Sequence, residues 1–247
     1  MRKFGLIGFP LSHSFSKKFF TEKFKREHIS DCEYELFPIE RIQSLPELLV
    51  KNESLSGLNV TIPYKLEVMP FLDKIDEAAG EIGAVNCIAI KRENRDRILS
   101  GHNTDAYGFE ASLAPLLRPH HTKALVLGDG GAAKAVKYIL NRLNIPFLVV
   151  SRRSEDENIS YKDVTAHLLQ EYTLLINTTP LGMSPNLDGC PDIPYSALSE
   201  KHLAYDLIYN PEETLFLKKS ASYGAVVKNG LEMLYLQAER SWHIWNS

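Results

Sequence analysis

The sequence predicts an α/β protein in two parts: an N-terminal open, twisted, mostly parallel α/β domain, then a C-terminal Rossmann-like dinucleotide-binding domain. Three observations predict it. Short apolar runs bounded by turn residues recur along the chain, as in strands buried on both faces of a sheet. They alternate with segments whose apolar residues recur at helical spacing. A glycine cluster, Gly128-Asp129-Gly130-Gly131-Ala132-Ala133, follows one such run and opens a helix.

The elements follow in order. Residues 3–9 read as a buried strand that leads into a polar loop through Ser14 and Ser16. Phe15, Phe19, Phe20 and Phe24 then space as one face of a helix. Residues 33–39 read as a second strand, with a helix around 42–50. In Gly57-Leu58-Asn59-Val60-Thr61-Ile62-Pro63-Tyr64-Lys65, Leu58, Val60 and Ile62 alternate with polar residues, the period of a half-buried strand. Pro63 has no N–H for a ladder, so the strand stops there. Residues 67–71 start a short helix that Pro70 interrupts, and another begins near Asp76. Residues 84–90 and 97–100 pair as a hairpin across a charged turn. Gly101 to Asp105 is a polar junction, and 107–117 reads as a connecting helix. Beyond it, strands at 123–128, 146–151, 174–177, 203–207 and 225–227 alternate with helices at 132–144, 214–219 and from 231 onward. That alternation is the signature of a doubly wound parallel sheet.

Composition narrows the function. The 247 residues suffice for one large domain or two ordinary ones, and 44% are hydrophobic. A net charge of -3 carries no footprint for nucleic acid or an anionic membrane. Cys32, Cys87 and Cys190 have no metal or redox spacing and read as reduced thiols in a cytoplasmic protein. The apolar N-terminal run is broken at Pro10 and reads as a strand rather than a signal peptide. No apolar stretch approaches the roughly 18 residues of a membrane span.

The glycine cluster satisfies the dinucleotide fingerprint at Gly128, Gly130 and Ala133, with Gly131 and Ala132 at the helix start. Glycines let the backbone approach a pyrophosphate, and the helix N-terminus offers free N–H groups. At the end of the next strand stand Ser151, Arg152, Arg153 and Ser154. An acid there holds the ribose of NAD, whereas arginine accommodates the 2′-phosphate of NADP. The pattern favours NADP(H), with NAD left open by the acidic residues behind it. Thr178 follows another buried strand and either meets the cofactor or caps a turn. Ser14 and Ser16 straddle Phe15; on an extended loop they face one way and suit a carboxylate, and otherwise one is a helix N-cap. Lys65 is either a solvated charge or, with Asp105, half of an acid/base pair.

Taken together, these motifs resemble the shikimate dehydrogenase family along nearly the whole chain. They are Gly8-x-Pro10-x-x-His13-Ser14-x-Ser16, Asn59-Val60-Thr61-x-Pro63-x-Lys65, Gly83-Ala84-Val85-Asn86, Asn103-Thr104-Asp105 with Gly108, the glycine loop, Asn177 to Met183, Tyr205-Asp206-x-x-Tyr209-x-Pro211-x-x-Thr214, and Gly230-x-x-Met233-Leu234 with Gln237-Ala238. The resemblance implies NADP-linked interconversion of 3-dehydroshikimate and shikimate, on the route to chorismate and the aromatic amino acids. It implies a substrate-binding and catalytic domain at 1–104, joined by the C-terminal helix at about 231–247, and an NADP domain at 105–230. It places substrate against Ser14, Ser16, Thr61, Lys65, Asn86, Asp105, Tyr209 and Gln237, with Lys65 and Asp105 catalytic. It places cofactor on Gly128, Asp129, Gly130, Gly131, Ala132, Ser151, Arg152, Arg153 and Ser154, and near Thr178, Leu207 and Gly230. The implied partners are these small molecules, for a monomer or a homodimer. Three departures stand out: Lys17 where the family usually has proline, Ser151-Arg152-Arg153 for Asn-Arg-Thr, and Asp129 for alanine. Two other functions fit the same pattern: a quinate/shikimate dehydrogenase using NAD, and a non-catalytic cofactor-binding regulator.

Overall fold

The structure is a computed structural model, and it describes residues 1–11, 14–93, 96–152 and 158–247. The chain divides into two compact units, Met1–Thr104 with Ala238–Ser247, and Asp105–Gln237.

The first unit holds β1 (Arg2–Gly8), α1 (Phe15–Arg26), β2 (Cys32–Pro38), α2 (Leu45–Lys51), β3 (Leu55–Val60), β4 (Lys74–Ile75), α3 (Glu77–Ile82), β5 (Cys87–Glu93) and β6 (Asp96–His102). Its sheet runs β2-β1-β3-β5-β6-β4. β1 pairs in parallel with β2 and β3, and β4 with β6; β5 runs antiparallel to β3 and β6. Both faces are covered. Ile7, Leu45, Leu58, Val60 and Ile88 form one core. Phe4, Phe20, Phe24, Tyr34 and Trp245 form the other.

That double cover corrects the half-buried reading of the third strand. Leu58 and Val60 are buried as expected, but Asn59, on the opposite face, is only 5% exposed. Ile62 is 75% exposed. The strand has ended at Val60, and the Tyr64 N–H closes a turn onto the Thr61 carbonyl at 3.0 Å, so Ile62 leaves the sheet. The helix expected at 67–71 is only a 3₁₀ turn, Met69–Phe71, with Pro70 inside it. The two-residue strand β4 carries too short a pattern for period to reveal.

The second unit holds α4 (Thr104–Leu113, from the junction), β7 (Ala124–Leu127), α5 (Gly131–Arg142), β8 (Phe147–Ser151), β9 (Asn158–Ser160), α6 (Ala166–Glu171), β10 (Leu174–Asn177), β11 (Leu203–Asp206), α7 (Leu215–Ser222) and β12 (Val226–Lys228). α8 (Leu231–Trp245) begins here and ends among residues of the first unit. α4 stops before the expected 117, because Pro115 turns its end into a 3₁₀ turn, Ala114–Leu116. The sheet order is β12-β11-β10-β7-β8-β9, and every pairing is parallel. β7, β10 and β11 are buried throughout, which is why each reads as a continuous apolar run. Strand order reverses between β7 and β10, the place where open parallel sheets bind their ligands.

Candidate active site

In the first unit, four loops at the ends of β1, β3, β5 and β6 are stitched together. The Thr61 N–H donates to the Ile7 carbonyl at 3.0 Å. Gly8 is required beside it, since a Cβ there would fall 2.4 Å from Thr61 Cγ2. The Val85 N–H donates to the Lys65 carbonyl at 2.7 Å, tying the lysine's turn to the segment before Asn86. Lys65 itself is half-buried. Asn86 is 3% exposed, and its Oδ1 accepts from Thr104 N at 2.6 Å and Thr104 Oγ1 at 3.2 Å. With both lone pairs of that oxygen engaged, the amide offers a ligand its N–H hydrogens. Asn103 Nδ2 donates to the Ala84 carbonyl at 2.9 Å, holding the same junction from the other side.

Ser14 and Ser16 do not share an extended loop. Ser14 is the N-cap of α1, and its Oγ accepts from Lys17 N at 3.3 Å. Ser16 lies within the first turn of α1, where it interacts with the buried Tyr34 hydroxyl. The family's usual proline has no N–H, so the cap bond depends on Lys17. His13, from the same loop, lies outside the described residues.

A second clamp holds the junction. Asp76 caps α3 through Ala79 N at 2.7 Å, and its other oxygen lies 2.6 Å from His102 Nδ1. Burial works against its charge, but the bonds from His102 and Ala79 outweigh it and hold the carboxyl below its ordinary value.

In the second unit the glycine loop sits at the reversal of strand order. Gly128 has φ +107, and a Cβ on it would fall 2.7 Å from Thr179 Cγ2 and 2.9 Å from Thr178 Oγ1. Thr178 Oγ1 donates to the carbonyls of Leu127 and Gly128, at 3.0 and 3.1 Å. Gly130, the N-cap of α5, supplies no side-chain cap, and among the described residues no atom lies within 4 Å of a Cβ built on Gly130 or Gly131. The result is an exposed, uncapped helix N-terminus with room over its N–H groups, which fits a dinucleotide pyrophosphate. Asp129 does not obstruct it: its carboxylate bonds Lys137 Nζ at 2.6 Å and Asn158 Nδ2 at 3.1 Å. The Lys137 hydrogen bond, the largest influence, holds Asp129 below its ordinary pKa.

Ser151 ends β8 and Arg152 is exposed just beyond it, while Arg153 and Ser154 lie outside the described residues. Gly230 is packed so closely that a Cβ would fall 2.1 Å from the Leu207 carbonyl oxygen, which brings those two residues together. Tyr209 is 40% exposed. Gln237 is buried, donates through Nε2 to the Leu234 carbonyl at 3.0 Å, and lies beside Gly108, where a Cβ would meet Gln237 Cβ at 3.1 Å. Gly108 is three residues after Asp105, on the same face of α4.

Sequence reasoning left one hub unassigned. Asp206 is fully buried at the end of β11 and accepts from Asn177 Nδ2, Ile208 N and Thr214 Oγ1, at 3.0, 3.0 and 2.6 Å. Burial pushes its carboxyl up to about 6 against those bonds. Its signal was present in the Tyr205-Asp206-x-x-Tyr209-x-Pro211-x-x-Thr214 motif, with no role attached. Among the described residues no group of His, Cys, Asp and Glu could hold a metal, and no helix is long and apolar enough to cross a membrane.

Comparison with known proteins agrees with this geometry. Residues 6–88 match the model of the shikimate dehydrogenase substrate binding domain. The chain is 40% identical over 257 residues to a shikimate dehydrogenase (NADP(+)) of Clostridium beijerinckii, covering 99% of this chain and 92% of that protein. A chorismate mutase/shikimate 5-dehydrogenase fusion protein from Clostridium acetobutylicum matches with a TM-score of 0.86 and 37% identity, over 100% of this chain and 91% of that one. Shikimate 5-dehydrogenase from Thermus thermophilus, in complex with NADP(H) and shikimate, matches with a TM-score of 0.84 and 30% identity, over 99% and 93%. The chain belongs to the shikimate dehydrogenase family.

Proposed function

We propose that this chain catalyses the reversible NADPH-dependent reduction of 3-dehydroshikimate to shikimate, on the route to chorismate. The observation that carries the reading is the pairing of two structures in one chain of this family. One is an open glycine cradle at the reversal of a parallel sheet, and the other is a set of tied polar loops holding Lys65 and Asn86.

The first unit with the C-terminal helix serves the substrate, and the second unit the cofactor. Bound NADPH would supply a hydride. Lys65 would donate a proton to the carbonyl oxygen in the reduction, and in the reverse direction it would take the hydroxyl proton. Asp105 supports the transfer, which suits a group that must carry a proton in both directions. Ser14 and Ser16 take the substrate carboxylate, and Asn86 gives N–H hydrogens to a ring hydroxyl. Thr61, Tyr209 and Gln237 complete the substrate contacts. Gly128 to Ala132 take the pyrophosphate, with Asp129 turned aside. Arg152, with Arg153 and Ser154, takes the 2′-phosphate, and Ser151, Thr178, Leu207 and Gly230 line the remainder. The absence of an acid at Ser151 supports NADP over NAD.

Initial rates with shikimate and quinate, each with NADP and with NAD, test the reading. The expected result is turnover fastest with shikimate and NADP. Faster turnover of quinate with NAD replaces the substrate assignment, and no turnover in any combination overturns the enzymatic one.

A further inference from the structure

Behind the substrate loops of the first unit runs a continuous buried chain of hydrogen bonds. Tyr34 Oη donates to Asn59 Oδ1 at 2.8 Å. Asn59 Nδ2 donates to Ser241 Oγ at 2.9 Å and reaches the Asn86 carbonyl only at 3.4 Å. Ser241 Oγ lies 3.3 Å from Thr104 Oγ1. Thr104 in turn donates to Asn86 Oδ1 through N and Oγ1. Tyr34, Asn59, Asn86, Thr104 and Ser241 are each no more than 5% exposed.

The donors can be followed one by one. The tyrosine hydrogen goes to Asn59, which leaves the Asn59 amide pointing its N–H toward Ser241. Thr104 has one hydroxyl hydrogen, and both Asn86 Oδ1 and Ser241 Oγ lie within its reach. Either hydroxyl can supply the hydrogen between Ser241 and Thr104. Ser241 thus accepts from β3 and is bonded to the junction that carries Asn103, Thr104 and the peptide bond to Asp105. It contacts the buried Cys87 thiol as well. Buried networks whose members are all satisfied hold one arrangement, because each alternative leaves a group unpaired in low dielectric.

We propose that Ser241 is a positioning residue for the substrate side of the site. It locks the amide of Asn59 and the hydroxyl of Thr104, and through Thr104 it fixes the amide of Asn86 and the backbone entering Asp105. The inference rests on the function proposed above. It assigns work to a C-terminal residue that touches no ligand and stands in none of the sequence motifs. Removing the Ser241 hydroxyl leaves Asn59 Nδ2 with its long contact alone, and frees Thr104 to rotate away from Asn86.

The experiment uses the full chain, with S241A, T104V and the double variant, and measures kcat and both KM values. In S241A the KM for shikimate rises about tenfold, the loss of about one buried hydrogen bond, while the KM for NADP stays within about twofold. The double variant loses less than the product of the two single losses, because both act on one chain of bonds. A wild-type chain inert toward shikimate and NADP overturns the proposed function and this inference with it. An active wild type whose S241A variant keeps its shikimate parameters overturns the inference alone. Equal rises in both KM values, or losses that multiply in the double variant, overturn it too, since they indicate general loosening. Should S241A not fold, T104V keeps the shape of the side chain, removes only the hydroxyl through which Ser241 reaches Asn86, and carries the same expectation and the same refutation.

Discussion

The two units hold their functional loops by opposite means. In the first, side chains do the holding: Asn59, Asn86, Thr104 and Ser241 are buried and bonded to one another. In the second, missing side chains do it. Gly128 and Gly230 let one loop lie against another at distances no Cβ would permit, and a single buried carboxylate, Asp206, gathers three segments. The difference follows the chemistry of the proposed ligands. A small hydroxylated acid is recognised by directed amides and hydroxyls, which must be locked in orientation. A pyrophosphate is recognised by backbone N–H groups, which need close approach more than side-chain direction.

The largest test of this contrast lies on the substrate side. K65A is expected to lower kcat by about 10²–10⁴-fold, the usual worth of a positioned acid/base, with a small change in the KM for NADP. Steady-state rates check it, and near-normal turnover would remove Lys65 from the chemistry. Next comes a glycine of the second unit. G230A places a Cβ 2.1 Å from a backbone oxygen, so one loop must shift. Calorimetry should find a loss of roughly 1–3 kcal/mol, with the KM for NADP raised and that for shikimate unchanged. An unaltered melting temperature would break the comparison, because close approach would then not be what holds that loop.

Asp206 gives a pH-dependent test of similar or smaller size. Its ordinary value is 3.8, and burial raises it to about 6 in the folded chain. The folded state therefore binds this proton more tightly than the unfolded state. That stabilisation is complete below the unfolded value and is lost as pH rises through the folded one. Relative to D206N, the wild type should lose on the order of 2 kcal/mol between about pH 4 and 6, then stay level. Denaturant unfolding at several pH values measures it, and a constant difference across that window would count against the buried, protonated carboxyl. The smallest effect is expected from D129A. Its bond to Lys137 joins side chains 34% and 31% exposed, so screening by solvent leaves less than about 1 kcal/mol. A larger drop in the melting temperature would make Asp129 part of the loop's architecture rather than a passenger turned away from the cofactor.

Much of this was legible in the residues. The second unit reads almost directly, because β7, β10 and β11 are buried on both faces and must be apolar throughout. Gly128 was legible as a turn before a helix, since a backbone at φ +107 restricts the choice of residue. The short strands β4 and β9 and the helix α6 were not read, because two to six residues carry too little period. Ser14 and Ser16 fitted either a pair on an extended loop or a helix N-cap, and Ser14 is the N-cap of α1.

By itself, then, the sequence determined the fold class and the strand–glycine–helix unit. Those features rest on local period and on residue types whose backbone needs are intrinsic. Only the tertiary structure decided that Asn59 is buried while Ile62 is exposed, and that Ser241 bonds both Asn59 and Thr104. Ser241 meets Asn59 across 182 residues and Thr104 across 137. No local pattern encodes such a meeting, because it depends on which sheet face the last helix covers and at what register.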